Sequence, residues 1–154
     1  MMKRHAAALG LMAALQASTG VAQTFDGRRG PIFEQPYVSR IQATAAATLL
    51  GVANVDESFL PLHEALGSQR DTALPAGVSR EGERLVLTAP GRAPLRLNDF
   101  VYRGKDDAGD SQRFHYLKTL ARHHLLVVEF SHDRPCFMLV DRQTLKAFFV
   151  DYGG

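Results

Sequence analysis

Cysteine occurs once in this 154-residue chain, at Cys136, and neither sign of charge is in clear excess, with 18 basic residues against 16 acidic ones. A single cysteine excludes an internal disulfide, so the fold must rest on a buried core without covalent staples. The near-neutral balance argues against the basic field that draws in nucleic acid or an anionic membrane surface. Uninterrupted apolar runs are short and fall below the roughly 20 residues a helix needs to cross a bilayer. Also missing are the G-x-S-x-G elbow of a nucleophilic serine, a phosphate-cradling glycine loop that opens a helix, and the H-E-x-x-H zinc pattern. No two carboxylates stand out as a glycosidase pair.

What is present begins with an export signal. Lys3, Arg4 and His5 form a basic head, an uncharged stretch follows from 6 to 15, and Gly20, Val21 and Ala22 supply a small-residue exit. Residues 1–22 therefore read as a signal peptide cleaved after Ala22, leaving a periplasmic or secreted domain of about 130 residues, a size that can bury one modest core. Removing Lys3 and Arg4 brings the charges to balance, which further weakens a polyanion partner. No cysteine lies near the cleavage point to carry a lipid, so no membrane anchor is expected.

Residues 23–38, rich in Gly, Arg and Pro, read as an extended and mobile leader segment. Residues 39–154 read as a single domain. Its helical part, 39–66, comprises an alanine-rich helix at 39–53 with Ile41, Ala45, Leu49 and Val52 at helical spacing and Ser39 as cap, and a short second helix over 56–66. A linker at 67–82 carries Gly67, Pro75, Gly77 and Gly82. A β-meander spans 83–152. Leu85 and Leu87, then Leu95 and Leu97, alternate with polar neighbours around a Pro90–Gly91 turn, which predicts a hairpin. Residues 112–130 fit a helical period through Phe114, Leu117, Leu120, Ala121, Leu125 and Val128. They fit a hairpin equally, with strands 113–121 and 125–131 and a register setting Lys118 opposite Glu129, and the hairpin is preferred for that cross-strand ion pair. Strands at 136–140 and 145–151 follow, joined by the turn 141–144.

A polar loop with Gly109 and Asp110, then Phe114 and Tyr116, the run 125–129, the run 137–141 and a D-x-x-T turn closed by Leu145 and Lys146 follow one another in that order. This half of the chain, 83–151, resembles a group of uncharacterised exported bacterial β-meander proteins. In that group the last turn reads Leu-Val-Asp followed by Thr-Gly-Lys, and Leu145 stands where the group has Gly. The resemblance implies a fold and no chemistry. The class expected is α+β, mainly antiparallel β, with an N-terminal helix packed on a meander of five to six strands. Leu126, Val128, Phe130, Phe137 and Leu139 are assigned to one face of the last strands, and Val127, Met138, Val140, Leu145 and Phe149 to the other. A sheet apolar on both sides needs cover from a helix, a second sheet or a partner.

Four histidines fall within eighteen residues, His115, His123, His124 and His132. In the register that pairs Lys118 with Glu129, His115 lies opposite His132, and with Asp133 beside it the three residues offer two nitrogens and a carboxylate to Zn or Cu. Histidines at strand ends more often serve packing. Asp106, Asp107 and Asp110 lack the alternating ligands of an EF-hand and read as turn formers. Ser131, His132 and Asp133 point to alternating sides of an extended segment and build no relay among themselves. Cys136 reads as a small hydrophobe within its strand, His132 being the only base nearby. The expectation is a non-enzymatic binding or interaction module without cofactor, possible forms being an inhibitor of an envelope enzyme or a self-associating protein. The alternative is a small metal-binding protein or a metal-dependent enzyme, with zinc held by His115, His132 and Asp133.

Overall fold

The computed structural model describes residues 20–61, 71, 73–101, 111–131 and 133–152. In chain order its strands are β1 (Gln23–Phe25), β2 (Val38–Gln42), β3 (Val78–Arg80), β4 (Arg84–Leu87), β5 (Leu95–Asn98), β6 (Gln112–Leu120), β7 (His123–Phe130), β8 (Cys136–Asp141) and β9 (Ala147–Asp151). They form two sheets, one ordered β1-β5-β4-β3 and the other β2-β9-β8-β7-β6. All adjacent pairs are antiparallel except β1 with β5 and β2 with β9, which are parallel. The class is α+β, dominated by antiparallel strands.

The period-2 alternation of side chains explains why the sheets stack. Leu85 faces Leu97 and Leu87 faces Leu95 across the β4–β5 hairpin, around a turn in which Gly91 adopts φ +68°. These leucines and Phe25 meet Phe114, Leu126, Val128, Met138, Val140 and Phe149 of the larger sheet in one core. The opposite face of the larger sheet carries Leu125, Val127, Phe137, Leu139 and Val150, covered by Ala46, Ala47, Val55 and Phe59. Thus Phe137 and Leu139 lie on the face opposite Leu126 and Val128, contrary to the assignment from sequence, because β8 pairs in a register that sets Leu126 beside Met138. Both apolar faces are covered within the chain, one by the second sheet and one by helical segments.

Several boundaries differ from the sequence reading. The leader segment is structured: Gln23–Phe25 extends the smaller sheet, Phe25 and Ile32 are fully buried, and the Ile32 amide donates to Gln112 Oε1 at 3.1 Å. The first helix, α1, covers only Ala43–Leu50, since residues 38–42 add to the edge of β9 instead, with Arg40 beside Phe149. The alanine-rich run itself is helical, whereas Val38 and Ile41, β-branched residues outside it, suit the extended pairing with β9. Gly51 (φ +67°) ends α1 and passes its amide to Thr48, while the Val52 amide returns to Ala47. A second helical stretch runs over 55–61, started by Asn54, whose Oδ1 accepts from the Glu57 amide at 3.3 Å, rather than by Asp56 or Ser58. Residues 62–66 of the expected second helix lie outside the described residues. The 67–82 linker contains β3, which pairs with β4. Residues 112–130 are a hairpin, and the single meander expected is two packed sheets.

Candidate functional site

β6 is an edge strand, and an edge presents backbone donors and acceptors that need partners. Here side chains supply them. The amide of Phe114 donates to Asp99 Oδ1 (2.9 Å) and that of Tyr116 to Asp71 Oδ1 (3.1 Å). Arg80 lies between, its guanidinium donating to Asp71 Oδ2 (3.0 and 2.8 Å), to Asp99 Oδ2 (3.1 Å) and to the Phe114 carbonyl. Gln112 completes the edge through a two-way backbone bridge with Phe100. Burial would raise the Asp71 carboxyl, but the nearby His115 ring, the Arg80 guanidinium and the Tyr116 amide outweigh it and hold the group below the usual carboxylate range. For Asp99 burial prevails over the Phe114 amide and Arg80, and its carboxyl sits above that range.

His115 belongs to this cluster. Its Nε2 meets Glu129 Oε2 at 2.9 Å, while its buried Nδ1 has no hydrogen-bond partner and stands 3.9 Å from Asp71 Oδ2. A cavity of about 400 Å³ is lined in part by Asp71, Arg80, Asp99, Arg113 and His115. The charged groups are engaged with one another and with the β6 backbone, so the cluster's evident work is to seal a sheet edge. The register from which the metal site was inferred does not form. His115 faces Val127, Lys118 faces Leu125 and Glu129 faces Arg113, because the chain turns at Ala121 and Arg122 and a bulge at Leu117 shifts the register. His132 lies outside the described residues, and Asp133 is not among the residues near His115 named above. Among the described residues no group of three His, Cys, Asp or Glu side chains is placed to hold a metal ion.

A larger cleft, of about 770 Å³, opens where the β6–β7 turn, the β8–β9 turn and two segments of the smaller sheet come together. Its polar lining is Arg122, His124, Arg142, Gln143 and Thr88, and Ala76, Gly77, Ala89, Pro90 and Ala121 complete it. Sequence reasoning missed this site. Neither Ala121 nor Arg122 is a common turn former, and Ala121 takes φ +45°, a region usually left to Gly or Asn. The one legible signal was the D-x-x-T turn: Asp141 Oδ1 accepts from the Gln143 and Thr144 amides, both at 2.9 Å, and Oδ2 from Arg122 Nε at 2.6 Å. Burial would raise the Asp141 carboxyl, but the Thr144 and Gln143 amides and Arg122 bring it down to about 2. The two turns are clipped together by the Arg142 amide on Arg122 O (2.9 Å) and by Arg142 Nη1 on Ala121 O (3.2 Å).

The opposite wall is fixed by close approach. Gly77 has φ +86°, and a Cβ there would sit 2.9 Å from Thr88 O. The Thr88 amide donates to Gly77 O at 2.8 Å. At the back of the cleft His124 is only 3% exposed. Its Nδ1 lies 3.0 Å from Thr119 Oγ1, which lies 3.0 Å from the Tyr116 hydroxyl, and the Tyr116 ring stands edge-on to the imidazole. Burial first, and then Arg142, push the His124 pKa below the ordinary histidine value, so the ring is neutral at neutral pH. Among the described residues no Ser, Cys, Lys, Asp or Glu lines the cleft. Cys136 is half-buried at the start of β8, and burial, then Asp133, raise its thiol, which keeps it protonated and inert.

No family model, curated protein or solved structure matches this chain. Among the described residues no helix is long and apolar enough to cross a membrane.

Proposed function

We propose that the chain is an exported, non-enzymatic binding module of the bacterial cell envelope, released by cleavage after Ala22 and acting on another envelope component. Inhibition of an envelope enzyme is one form this role can take. The observation that carries the reading is the composition of the larger cleft, which offers two guanidiniums, an imidazole, an amide and a hydroxyl for recognition and, among the described residues, no serine, cysteine, lysine or carboxylate. The apolar sheet faces, which from sequence were the first candidates for a partner, are consumed by the second sheet and the helical segments. Cleavage after Ala22 agrees with this layout, since it leaves β1 whole with Gln23 as its first residue.

The test is expression with the leader in a bacterial host, followed by intact mass of the periplasmic form and capture of envelope components on the immobilised domain. The mass should match a chain starting at Gln23, and a retained component should be released by Arg142→Gln but not by Arg28→Gln, which lies outside the cleft. Retention of residues 1–22 in a cytoplasmic product would overturn the export reading. Retention indifferent to Arg142→Gln would overturn the binding role of the cleft.

A further inference from the structure

We propose that the cleft at the β6–β7 and β8–β9 turns is a receptor for a single carboxylate carried on a small apolar group, held by Arg142, His124 and Thr88. This rests on the binding-module reading and specifies its ligand.

The charge count selects a monoanion. Two guanidiniums line the cleft, but Arg122 is already matched by Asp141 at 2.6 Å, so one positive charge, that of Arg142, is left over. A planar guanidinium matches a carboxylate in the geometry of a charge-assisted hydrogen bond. Arg142 keeps one nitrogen on Ala121 O and has donors to spare, since a guanidinium carries five.

The imidazole is built to donate. Thr119 occupies Nδ1, so Nε2 is the ring nitrogen available to the cleft that His124 lines. A bound carboxylate selects the direction of the hydrogen-bond chain that runs from the Tyr116 hydroxyl through Thr119 to Nδ1, which puts the ring proton on Nε2 and presents a neutral N–H to the ligand. A ring buried to this degree, fixed by a two-member relay and aligned by the Tyr116 edge contact, is a preorganised donor rather than a solvated surface group. Thr88, on the facing wall, adds a hydroxyl 3.5 Å from Gly77 O.

The rest of the lining sets the size of the attached group. Ala76, Ala89, Pro90 and Ala121 are short and apolar, and among the described residues no carboxylate lines the cleft to meet a basic side chain. The shared chemistry is therefore that of a free short-chain carboxylic acid and of a peptide C-terminus ending in small apolar residues.

Titration of the domain lacking residues 1–22 with four probes, followed through amide and imidazole NMR shifts, separates the sources. The probes are acetate, tri-alanine, tri-alanine C-terminal amide and inorganic phosphate. Tri-alanine binding with shifts at Thr88, His124 and Arg142, weakened about tenfold or more by amidation and by Arg142→Gln, is the expected result for a peptide terminus. Acetate binding as tightly as tri-alanine, with the same sensitivity to Arg142→Gln, supports the free-acid source. Because Arg142→Gln also touches the turn, His124→Asn, which keeps a donor and no imidazole, serves as a second variant and should weaken binding without loss of fold. Phosphate binding more tightly than either carboxylate, or equal binding of acid and amide, overturns the proposal. If no probe binds while envelope capture remains sensitive to Arg142→Gln, the ligand class is wrong and the binding-module reading stands. If both are lost, both fall.

Discussion

Asp141 joins the stability of this fold to the shape of its larger cleft, and its removal can be worked through quantitatively. The side chain is 8% exposed and accepts three bonds, two from turn amides and one from Arg122. Its carboxyl is displaced from the ordinary 3.8 to about 2. A group whose folded pKa is depressed contributes stability that is fully present above its unfolded pKa and is lost as pH falls through the folded one. A displacement of just under two units, at about 1.36 kcal/mol each, makes the charge-dependent part roughly 2 kcal/mol. Asp141→Asn keeps an oxygen for the Gln143 and Thr144 amides and loses the charge, so it should cost about 2 kcal/mol at neutral pH. Asp141→Ala also abandons the two amides and should cost about 3 kcal/mol. The Arg122 pair adds little to either figure, because the Arg122 side chain is 60% exposed and solvent screens it.

Urea unfolding of the three proteins across pH checks both the size and the sign. The gap between the parent and Asp141→Asn should be flat from pH 7 to about 5, narrow below about 4 and approach zero near the folded pKa of about 2. His123, the register partner of Asp141, gives an independent reading by NMR titration. Burial already lowers its pKa, Asp141 opposes that effect and Arg122 adds to it, so removal of the carboxylate should lower His123 further. A gap that persists unchanged to pH 3 would refute the assignment of the stability to the Asp141 charge. A gap that closes between pH 7 and 5 would move it to histidine.

Arg80→Met removes the cation bonded to both Asp71 and Asp99 in the edge cluster and strands the Phe114 carbonyl, which should destabilise the domain by about 3 kcal/mol. Hydrogen exchange should show the Phe114 and Tyr116 amides losing protection ahead of the β7 and β8 amides, and unchanged protection there would show that the side-chain seal on β6 is not what holds that edge. Leu145→Gly relieves a left-handed residue at φ +57° by about 1 kcal/mol but empties a core position that is 3% exposed, so a net loss of about 2 kcal/mol is expected in urea unfolding. A variant as stable as the parent would show that the turn, not the core, decides which residue stands there.

The β4–β5 hairpin was legible because Leu85, Leu87, Leu95 and Leu97 alternate cleanly around Pro90 and Gly91, and local pattern and tertiary role coincide. The same holds for β8 and for the Asp141 turn. Residues 38–42 were not legible, since the reason they are extended lies about 110 positions away in β9 and leaves no local trace. The β6–β7 register failed for a different reason. The split at His123 and His124 put polar residues in the turn, where they commonly fall, whereas the chain turns on Ala121 and Arg122 and buries both histidines. With the turn displaced, each cross-strand pair inferred from the split moved with it, including the one that placed His115 against His132.

The placement of the chemistry follows from the same geometry. Charged residues gathered at the β6 edge are bonded to backbone groups of that strand. Arg80 cannot leave Phe114 and the two aspartates without exposing them. Residues at the turns are under no such obligation, because a turn satisfies much of its own backbone: the Leu145 amide returns to Asp141 O, and Asp141 Oδ1 takes the next two amides. Arg142 therefore keeps donors in excess of its structural needs, and His124 is anchored through one nitrogen and left with the other. A binding site assembled from turn residues with spare donors, rather than from the charge-rich edge, is what this division of labour favours. It also accounts for why the histidine that matters in this reading is His124, whose neighbours in sequence carried no metal or catalytic spacing.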